Sequence, residues 1–189
     1  MHPHLMDPAE SACLLVVDVQ ERFRPVIDGF EDMLRACARM ARTFGILDLP
    51  IVVTEQYPRG LGKTVPELLE VFLAAGIPWR PFEKTGFSAW SAPGLPERFE
   101  ELRPLGSVLV VGIEAHVCVQ QSVHDLLARG FRVQVAVDAV SSRRPSDREV
   151  ALRRMERSGA VLTTTEMAAF ELLRDAAHPK FKEVKALYK

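Results

Sequence analysis

The chain has 189 residues, a formal net charge of −1 at pH 7, 48% hydrophobic residues and 26% charged residues, values typical of a globular protein with one core. This charge gives no electrostatic reason to expect nucleic acid or an anionic membrane as a partner, and no apolar stretch approaches the roughly 20 residues that span a bilayer. The three cysteines lack metal-finger spacing, and the N-terminus lacks the basic-then-apolar layout of a signal peptide, so a cytoplasmic protein is predicted.

Strand and helix patterns alternate along the whole chain. Six apolar runs predict strands, over residues 12–19, 50–55, 77–82, 107–113, 131–137 and 160–164. Helical spacing predicts helices over 30–44 with Gly45 as C-cap, 64–75 with Thr64 as N-cap, 96–102, 117–129 and 146–157. The alternation predicts one Rossmann-like domain over residues 1–189, with its core at about 11–170. Its architecture would be three-layer α/β/α around a six-stranded, mostly parallel sheet.

Cys118 lies where the fourth predicted strand ends and a helix begins. Free backbone N–H groups and the positive end of a helix dipole favour a thiolate there, and the thiolate is the nucleophilic form of cysteine. A free cysteine is more often a small buried hydrophobic residue, and this is the interpretation of Cys13 and Cys37. For Cys118 alone, both interpretations stay open.

Ligands of doubly wound sheets bind at the carboxyl ends of the strands, and three reactive residues fall there. Asp18 ends the first predicted strand, Lys84 follows the third and Cys118 follows the fourth. Taken alone, Asp18 could form a turn and Lys84 could be solvated. Taken together, they have complementary roles: the carboxylate accepts the thiol proton, the ammonium stabilises developing charge and the sulfur attacks.

These residues carry a resemblance to a known superfamily. The segments Asp18-Val19-Gln20, Glu83-Lys84-Thr85 and 112–119, each in its strand context, resemble the isochorismatase-like cysteine hydrolases. The resemblance covers about residues 11–170 in the same order. Residues 54–67 further resemble the isochorismatase-domain-containing subgroup, whose substrates are largely undefined.

The resemblance implies a role for each matching position. Asp18 would be the general base, Lys84 its cationic partner and Cys118 the nucleophile. A cis peptide bond would join Ile113 and Glu114. The backbone N–H groups of Glu114 and Cys118 would form an oxyanion hole, which suits the start of a helix.

Departures from the superfamily pattern narrow the chemistry. Isochorismatases proper carry a small, non-nucleophilic residue where this chain has Cys118, so cleavage of an amide or related acyl C–N bond is favoured over vinyl-ether hydrolysis, which stays as an alternative. Nicotinamidases have an Asp-x-His zinc motif after the second strand, whereas residues 55–60 here contain no histidine. His116 and His124 do not replace it, so neither a metal nor a cofactor is expected.

Five side chains near the same strand ends are candidates for the substrate pocket. Phe23, Phe87 and Trp90 would form walls, although ordinary loop packing explains each of them equally well. The amides of Gln20 and Gln56 would orient a polar group. The predicted substrate is therefore small and partly apolar or planar.

Two other functions use the same residues. The chain could be a small-molecule binding or scaffold protein that has lost turnover, or a thiol redox sensor built on Cys118. The sensor would need a resolving thiol, and Cys13 and Cys37 are predicted to be too buried to supply one. A homo-oligomer is expected, with contacts through the 57–63 loop or the tail at 171–189, unless the tail only caps the domain.

Overall fold

A computed structural model of the chain describes residues 5–6, 12–102 and 106–189. The prediction that the N-terminus is not a signal peptide rests largely on residues 1–4 and 7–11, and the predicted core of the domain begins at residue 11. These positions lie outside the described residues.

Within the described residues a parallel sheet of six strands has the order β3-β2-β1-β4-β5-β6. The strands are β1 (Ala12–Val17), β2 (Ile51–Gln56), β3 (Phe82–Lys84), β4 (Ser107–Ile113), β5 (Arg132–Ser141) and β6 (Val161–Thr163). The helices are α1 (Phe30–Ile46), α2 (Pro58–Leu61), α3 (Pro66–Ala74), α4 (Leu95–Glu101), α5 (Gln120–Ala128), α6 (Pro145–Arg157), α7 (Thr165–Leu173) and α8 (Phe181–Ala186). Short 3-10 turns lie at Glu21–Phe23 and Ala89–Ser91, and a π-helical turn lies at Ala115–Val119.

The predicted three-layer α/β/α architecture is confirmed. Every residue of the central strand β1 is fully buried, because helices cover both faces of the sheet. Leu14 and Val16 join the core on one face, and Leu15 and Val17 join the core on the other. The strand order reverses between β1 and β4, so ligands are expected to bind beside their carboxyl ends.

The third strand differs from its prediction over residues 77–82. The observed β3 begins at Phe82 and pairs with the last three residues of β2. Pro78 and Pro81 have no backbone N–H for a strand ladder, so the apolar stretch before Phe82 is a poor strand despite its hydrophobicity. As a result Lys84 is the last residue of the strand itself.

Two predicted helix ends are also wrong. Gly45 lies inside α1, whose C-cap is Leu47. The glycine is there for close packing, since a Cβ at this position would lie 3.1 Å from the Cβ of Ala75. Thr64 is not an N-cap, because its N–H and hydroxyl both donate to Glu55 Oε1, at 2.8 and 2.9 Å.

The C-terminal segment packs against its own domain. Val184 of α8 is fully buried, and the Tyr188 hydroxyl lies 3.1 Å from Thr43 Oγ1 of α1. A role of the tail in oligomer contacts stays a prediction. No described helix is both long enough and apolar enough to cross a membrane.

Candidate active site

Asp18 lies directly after β1, at the reversal of the strand order. Its side chain is fully buried. Oδ1 accepts a hydrogen bond of 2.7 Å from Thr54 Oγ1, and Oδ2 accepts one of 2.7 Å from Lys84 Nζ. Burial raises the pKa of Asp18 above its ordinary value of 3.8, and the ammonium of Lys84 partly offsets this. The carboxyl group therefore binds a proton more readily than an exposed aspartate does.

Lys84 projects from the end of β3 across β2 to reach this carboxylate. Its Nζ also donates to Gln56 Oε1 at 2.7 Å, to the Phe87 carbonyl at 3.0 Å and to the Gly86 carbonyl at 3.4 Å. The ammonium is fully buried, and protein oxygens replace its hydration shell. The result is a fixed positive charge against Asp18.

Cys118 lies in the π-helical turn between β4 and α5, with 5% of its surface exposed. Burial, followed by the negative charge of Asp18, raises the pKa of its thiol to about 12, and Lys84 acts in the opposite direction. The start of the helix was expected to favour a thiolate, but the net shift of the pKa is upward. The start of the helix does not outweigh burial beside a carboxylate, so the side chain is mainly a thiol at neutral pH.

Glu114 lies between β4 and the π-helical turn and is held on both sides. The peptide bond between Ile113 and Glu114 is cis. The Glu114 carbonyl accepts the N–H groups of Val117 and Val119, at 3.0 and 3.1 Å. Its carboxylate accepts Arg143 Nε at 2.8 Å and the Arg143 backbone N–H at 3.3 Å. Arg143, which lies just beyond β5, was not among the predicted site residues.

Ser122 joins the cysteine turn to the segment that follows β3. Its hydroxyl donates to the Cys118 carbonyl at 2.7 Å and accepts the N–H of Ala89 at 2.7 Å. Ser122 lies four residues beyond Cys118, and its two hydrogen bonds hold the π-helical turn against the segment that follows β3. This contact was not predicted either, because a serine within a helical pattern gives no sign of its hydrogen-bond partners.

A cavity of about 650 Å³ opens beside Cys118. This volume falls within the range of small-molecule sites. Its wall is formed by Arg22, Phe23, Val26, Gln56, Tyr57, Leu61, Thr85, Phe87, Glu114, Val117, Cys118 and Arg143. Three of the five predicted pocket residues, Phe23, Gln56 and Phe87, are among them.

The other two predicted pocket residues are placed elsewhere. Gln20 is fully buried, and its amide nitrogen donates to the carbonyls of Gln56 at 3.0 Å and Gly62 at 2.6 Å, so it supports the wall from behind. The ring of Trp90 lies 5.7 Å from that of Phe99 and is covered by the guanidinium of Arg129.

The amide of Gln56 is also committed within the protein. Its oxygen accepts from Lys84, and its nitrogen donates to the Thr85 carbonyl at 2.7 Å. Orienting the Lys84 ammonium is therefore the role that the contacts of this side chain support.

The two histidines near the cysteine make local hydrogen bonds. His116 Nδ1 lies 3.0 Å from Ser142 Oγ, and His124 lies between the Gln120 carbonyl and Ser158 Oγ. Among the residues that the structure describes, no group of three or more His, Cys, Asp or Glu side chains is arranged to hold a metal ion.

The raised pKa of Cys118 leads to a prediction about thiol alkylation. In the unmodified protein, labelling of Cys118 by iodoacetamide is expected to be slow at neutral pH and to rise about tenfold per pH unit toward the pKa of about 12. In Asp18→Asn the carboxylate is gone and Lys84 stays, so the pKa of Cys118 falls. The pH profile then moves to lower pH, with about tenfold faster labelling at pH 8 for each unit of the fall. Mass spectrometry of tryptic peptides at a series of pH values measures the profile.

Cys13 and Cys37 are the internal controls, because both are fully buried and burial raises the pKa of both. They should stay unlabelled while the protein is folded. A pH profile in Asp18→Asn that is unmoved, or displaced to higher pH, would contradict the electrostatic coupling of the two groups.

Comparisons with known proteins agree on one family. A family model described as "Isochorismatase domain" matches residues 12–167. The mouse isochorismatase domain-containing protein 2A is 48% identical over 180 residues, covering 95% of this chain and 84% of that protein. The human isochorismatase domain-containing protein 2 is 45% identical over 179 residues, covering 95% of this chain and 83% of that protein. The solved structure of MAR1 ribonuclease from Caenorhabditis elegans is 43% identical, with a TM-score of 0.87 over 97% of this chain and 91% of that chain.

Proposed function

The chain belongs to the isochorismatase family, and on that premise we propose that it is a metal-independent cysteine hydrolase that cleaves an amide or related acyl C–N bond of a small molecule. One observation carries the proposal: Cys118 lines the cavity and interacts with the buried pair of Asp18 and Lys84 behind it. A nucleophile, a base and a fixed cation are the parts that covalent acyl transfer needs.

In the first half of the reaction the Asp18 carboxylate takes the proton of the Cys118 thiol. The sulfur then forms a bond to the substrate carbonyl carbon, and the carbonyl oxygen becomes an oxyanion. The N–H groups of Glu114 and Cys118 are the donors proposed for this oxyanion. As the C–N bond breaks, the protonated Asp18 gives its proton to the leaving nitrogen, and a thioester stays on Cys118.

In the second half water enters where the amine has left. Asp18, again a carboxylate, takes a proton from the water, and the oxygen bonds to the thioester carbon. The C–S bond breaks, the acid product leaves, and the sulfur recovers its proton from Asp18. The same carboxyl group thus accepts and returns a proton in each half.

The pKa shifts fit these duties. A carboxylate whose pKa is raised is a stronger base, so Asp18 accepts the thiol proton more readily than an exposed aspartate would. A thiol with a pKa of about 12 is mostly protonated at neutral pH, so it needs a base beside it at the moment of attack. Lys84 keeps the carboxylate ionised often enough to be that base.

Acylation by an activated ester tests the proposal. With 4-nitrophenyl acetate we expect a burst of one equivalent of nitrophenolate per chain and an acetyl group on the peptide that contains Cys118. Cys118→Ala should lack both and should lower turnover by about 10⁴-fold or more. Cys37→Ala, a buried cysteine away from the cavity, is the matched control and should keep both. Undiminished turnover in Cys118→Ala would exclude the proposal. A folded protein that gives no burst would favour a binding protein.

RNA cleavage is a second candidate, favoured by the name of the C. elegans protein. The thioester mechanism predicts no cleavage of RNA by the purified chain. If RNA is cleaved, Cys118→Ala decides whether this cavity is responsible, because only cleavage at this site is lost in the variant.

A further inference from the structure

The charged groups around the cavity are unevenly distributed. Asp18 and Lys84 form a buried pair beside Cys118 whose charges cancel. The wall itself carries two cations, Arg22 and Arg143, and one anion, Glu114. The mouth of the cavity is therefore positive by one charge in a protein whose net charge is −1.

Arg22 is the cation of the wall for which the described residues provide no ion-pair partner. It lies in the exposed 3-10 turn Glu21–Phe23, and in the described parts of the chain no carboxylate forms an ion pair with it. Arg24, two residues further on, shows the usual arrangement, with Glu31 at 3.0 Å and Glu67 at 2.6 Å. A guanidinium that lines a cavity with its five donors free is a ready site for a carboxylate.

Arg143 supports the same reading from another position on the wall. The Nε and backbone N–H of Arg143 donate to the Glu114 carboxylate. Within the described chain the two terminal amino groups of Arg143 have no partner. The carboxylate of Glu114 is thus already neutralised, and it does not repel an anion that approaches Arg22.

The wall also carries exposed apolar side chains. Val26, Tyr57 and Phe87 are 49%, 53% and 54% exposed around the cavity. Large apolar side chains grouped beside a reactive cavity mark a surface that a ligand covers. The ligand therefore needs an apolar part as well as a negative charge.

We propose that the substrate is an amide whose acyl half has an apolar body ending in a carboxylate, which Arg22 binds. This inference rests on the proposed function, because it describes the substrate of the same site. The charge belongs to the acyl half because that half stays on Cys118 through both steps, so its contacts act throughout the reaction. If the charge were on the amine half, Arg22 would hold the amine after the C–N bond breaks and would slow its replacement by water.

Two activated esters of matched length test the inference. One is mono-4-nitrophenyl adipate, whose acyl chain ends in a carboxylate, and the other is 4-nitrophenyl hexanoate, whose acyl chain is neutral. The measured quantity is the ratio of kcat/KM for the anionic ester to that for the neutral ester, at low and at high salt. We expect a ratio of at least about 5 at low salt, falling as salt screens the exposed guanidinium.

Arg22→Gln should lower this ratio by about fivefold to tenfold, since it removes the charge and keeps a polar side chain of similar reach. Arg59→Gln is the matched control: Arg59 is exposed on the neighbouring helix α2 and does not line the cavity, so the ratio should stay at the parent value. Arg22→Glu should move the preference to an ester of 6-aminohexanoate, whose acyl chain ends in a cation.

The two proposals fail in different ways. If neither ester acylates Cys118, the proposed function is wrong. If both acylate it with similar kcat/KM, or if Arg22→Gln and Arg59→Gln change the ratio equally, the hydrolase stands and the anionic substrate is wrong.

Discussion

Replacing Lys84 by methionine is expected to lower the free energy of unfolding by about 3–5 kcal/mol at pH 7 and to lower turnover by at least about 10²-fold. Methionine fills similar space but removes the charge that compensates Asp18, so a fully buried carboxylate loses its ion pair. The activity falls because Asp18 then stays protonated and cannot accept the proton of Cys118. Urea unfolding and 4-nitrophenyl acetate hydrolysis measure the two effects.

The stability loss in Lys84→Met should depend on pH in a definite direction. The pKa of Asp18 is already above 3.8 in the folded protein, and loss of the ammonium raises it further. The folded state then binds a proton that the unfolded state does not, so stability falls as pH rises from about 4 through the raised pKa. Urea unfolding at pH 5 should therefore show a smaller loss than at pH 8.

The double variant Asp18→Asn with Lys84→Met is the control. It removes both charges together, so most of the lost stability should return, because neutral replacements of a buried pair cost little. Activity should not return, since no base is left beside Cys118. Full activity in either variant, or equal instability of the single and double variants, would contradict the pairing described here.

Gly112→Ala is expected to destabilise the protein by about 4 kcal/mol or more, which is enough to unfold many single domains. Gly112 lies in β4 opposite Val17 of β1 and has φ of +113°, a conformation that side-chain-bearing residues rarely adopt. A Cβ there would lie 2.1 Å from the Val17 carbonyl oxygen, a backbone atom that cannot move without parting the two central strands. Thermal unfolding of the variant measures the loss.

Gly159→Ala is the matched control for the glycine prediction. Its φ is +106°, but a Cβ would meet nothing within 4 Å. The free energy of unfolding of this variant should therefore fall only by the backbone strain, about 1–2 kcal/mol. If both glycine variants lose the same stability, the close contact between β1 and β4 is not the cause.

The central strands and their reactive ends were predictable from the sequence. β1 and β4 are near-continuous apolar runs because helices cover both faces of the sheet, and such runs end where polar residues appear. Asp18, Lys84 and Cys118 each lie at or just after the carboxyl end of a predicted strand. That placement was enough to predict that their side chains lie close together. The position of β3 was not, because a three-residue edge strand contains Glu83 and Lys84 and has no apolar pattern.

The support around the site could not be predicted because it depends on contacts between distant segments. Ser122, Arg143 and Glu55 act through hydrogen bonds that no spacing in the sequence reveals. The start of the helix, which favours a thiolate at Cys118, can be inferred from the sequence, but the burial beside Asp18 that raises the pKa of the thiol cannot. Trp90 was placed on the wall because it follows the third strand, but its ring turns toward Phe99.

The bond between Lys84 and Asp18 also has a mechanical consequence for the sheet. β3 is an edge strand of three residues, attached by a short ladder to β2 alone, and such strands are the first to detach in local opening. The lysine side chain reaches past β2 and ties this edge to the end of the central strand β1, 66 positions away along the chain. Fraying of this edge strand would thus carry Lys84 away from Asp18, so the proposed set of reacting groups is complete only while β3 is in place.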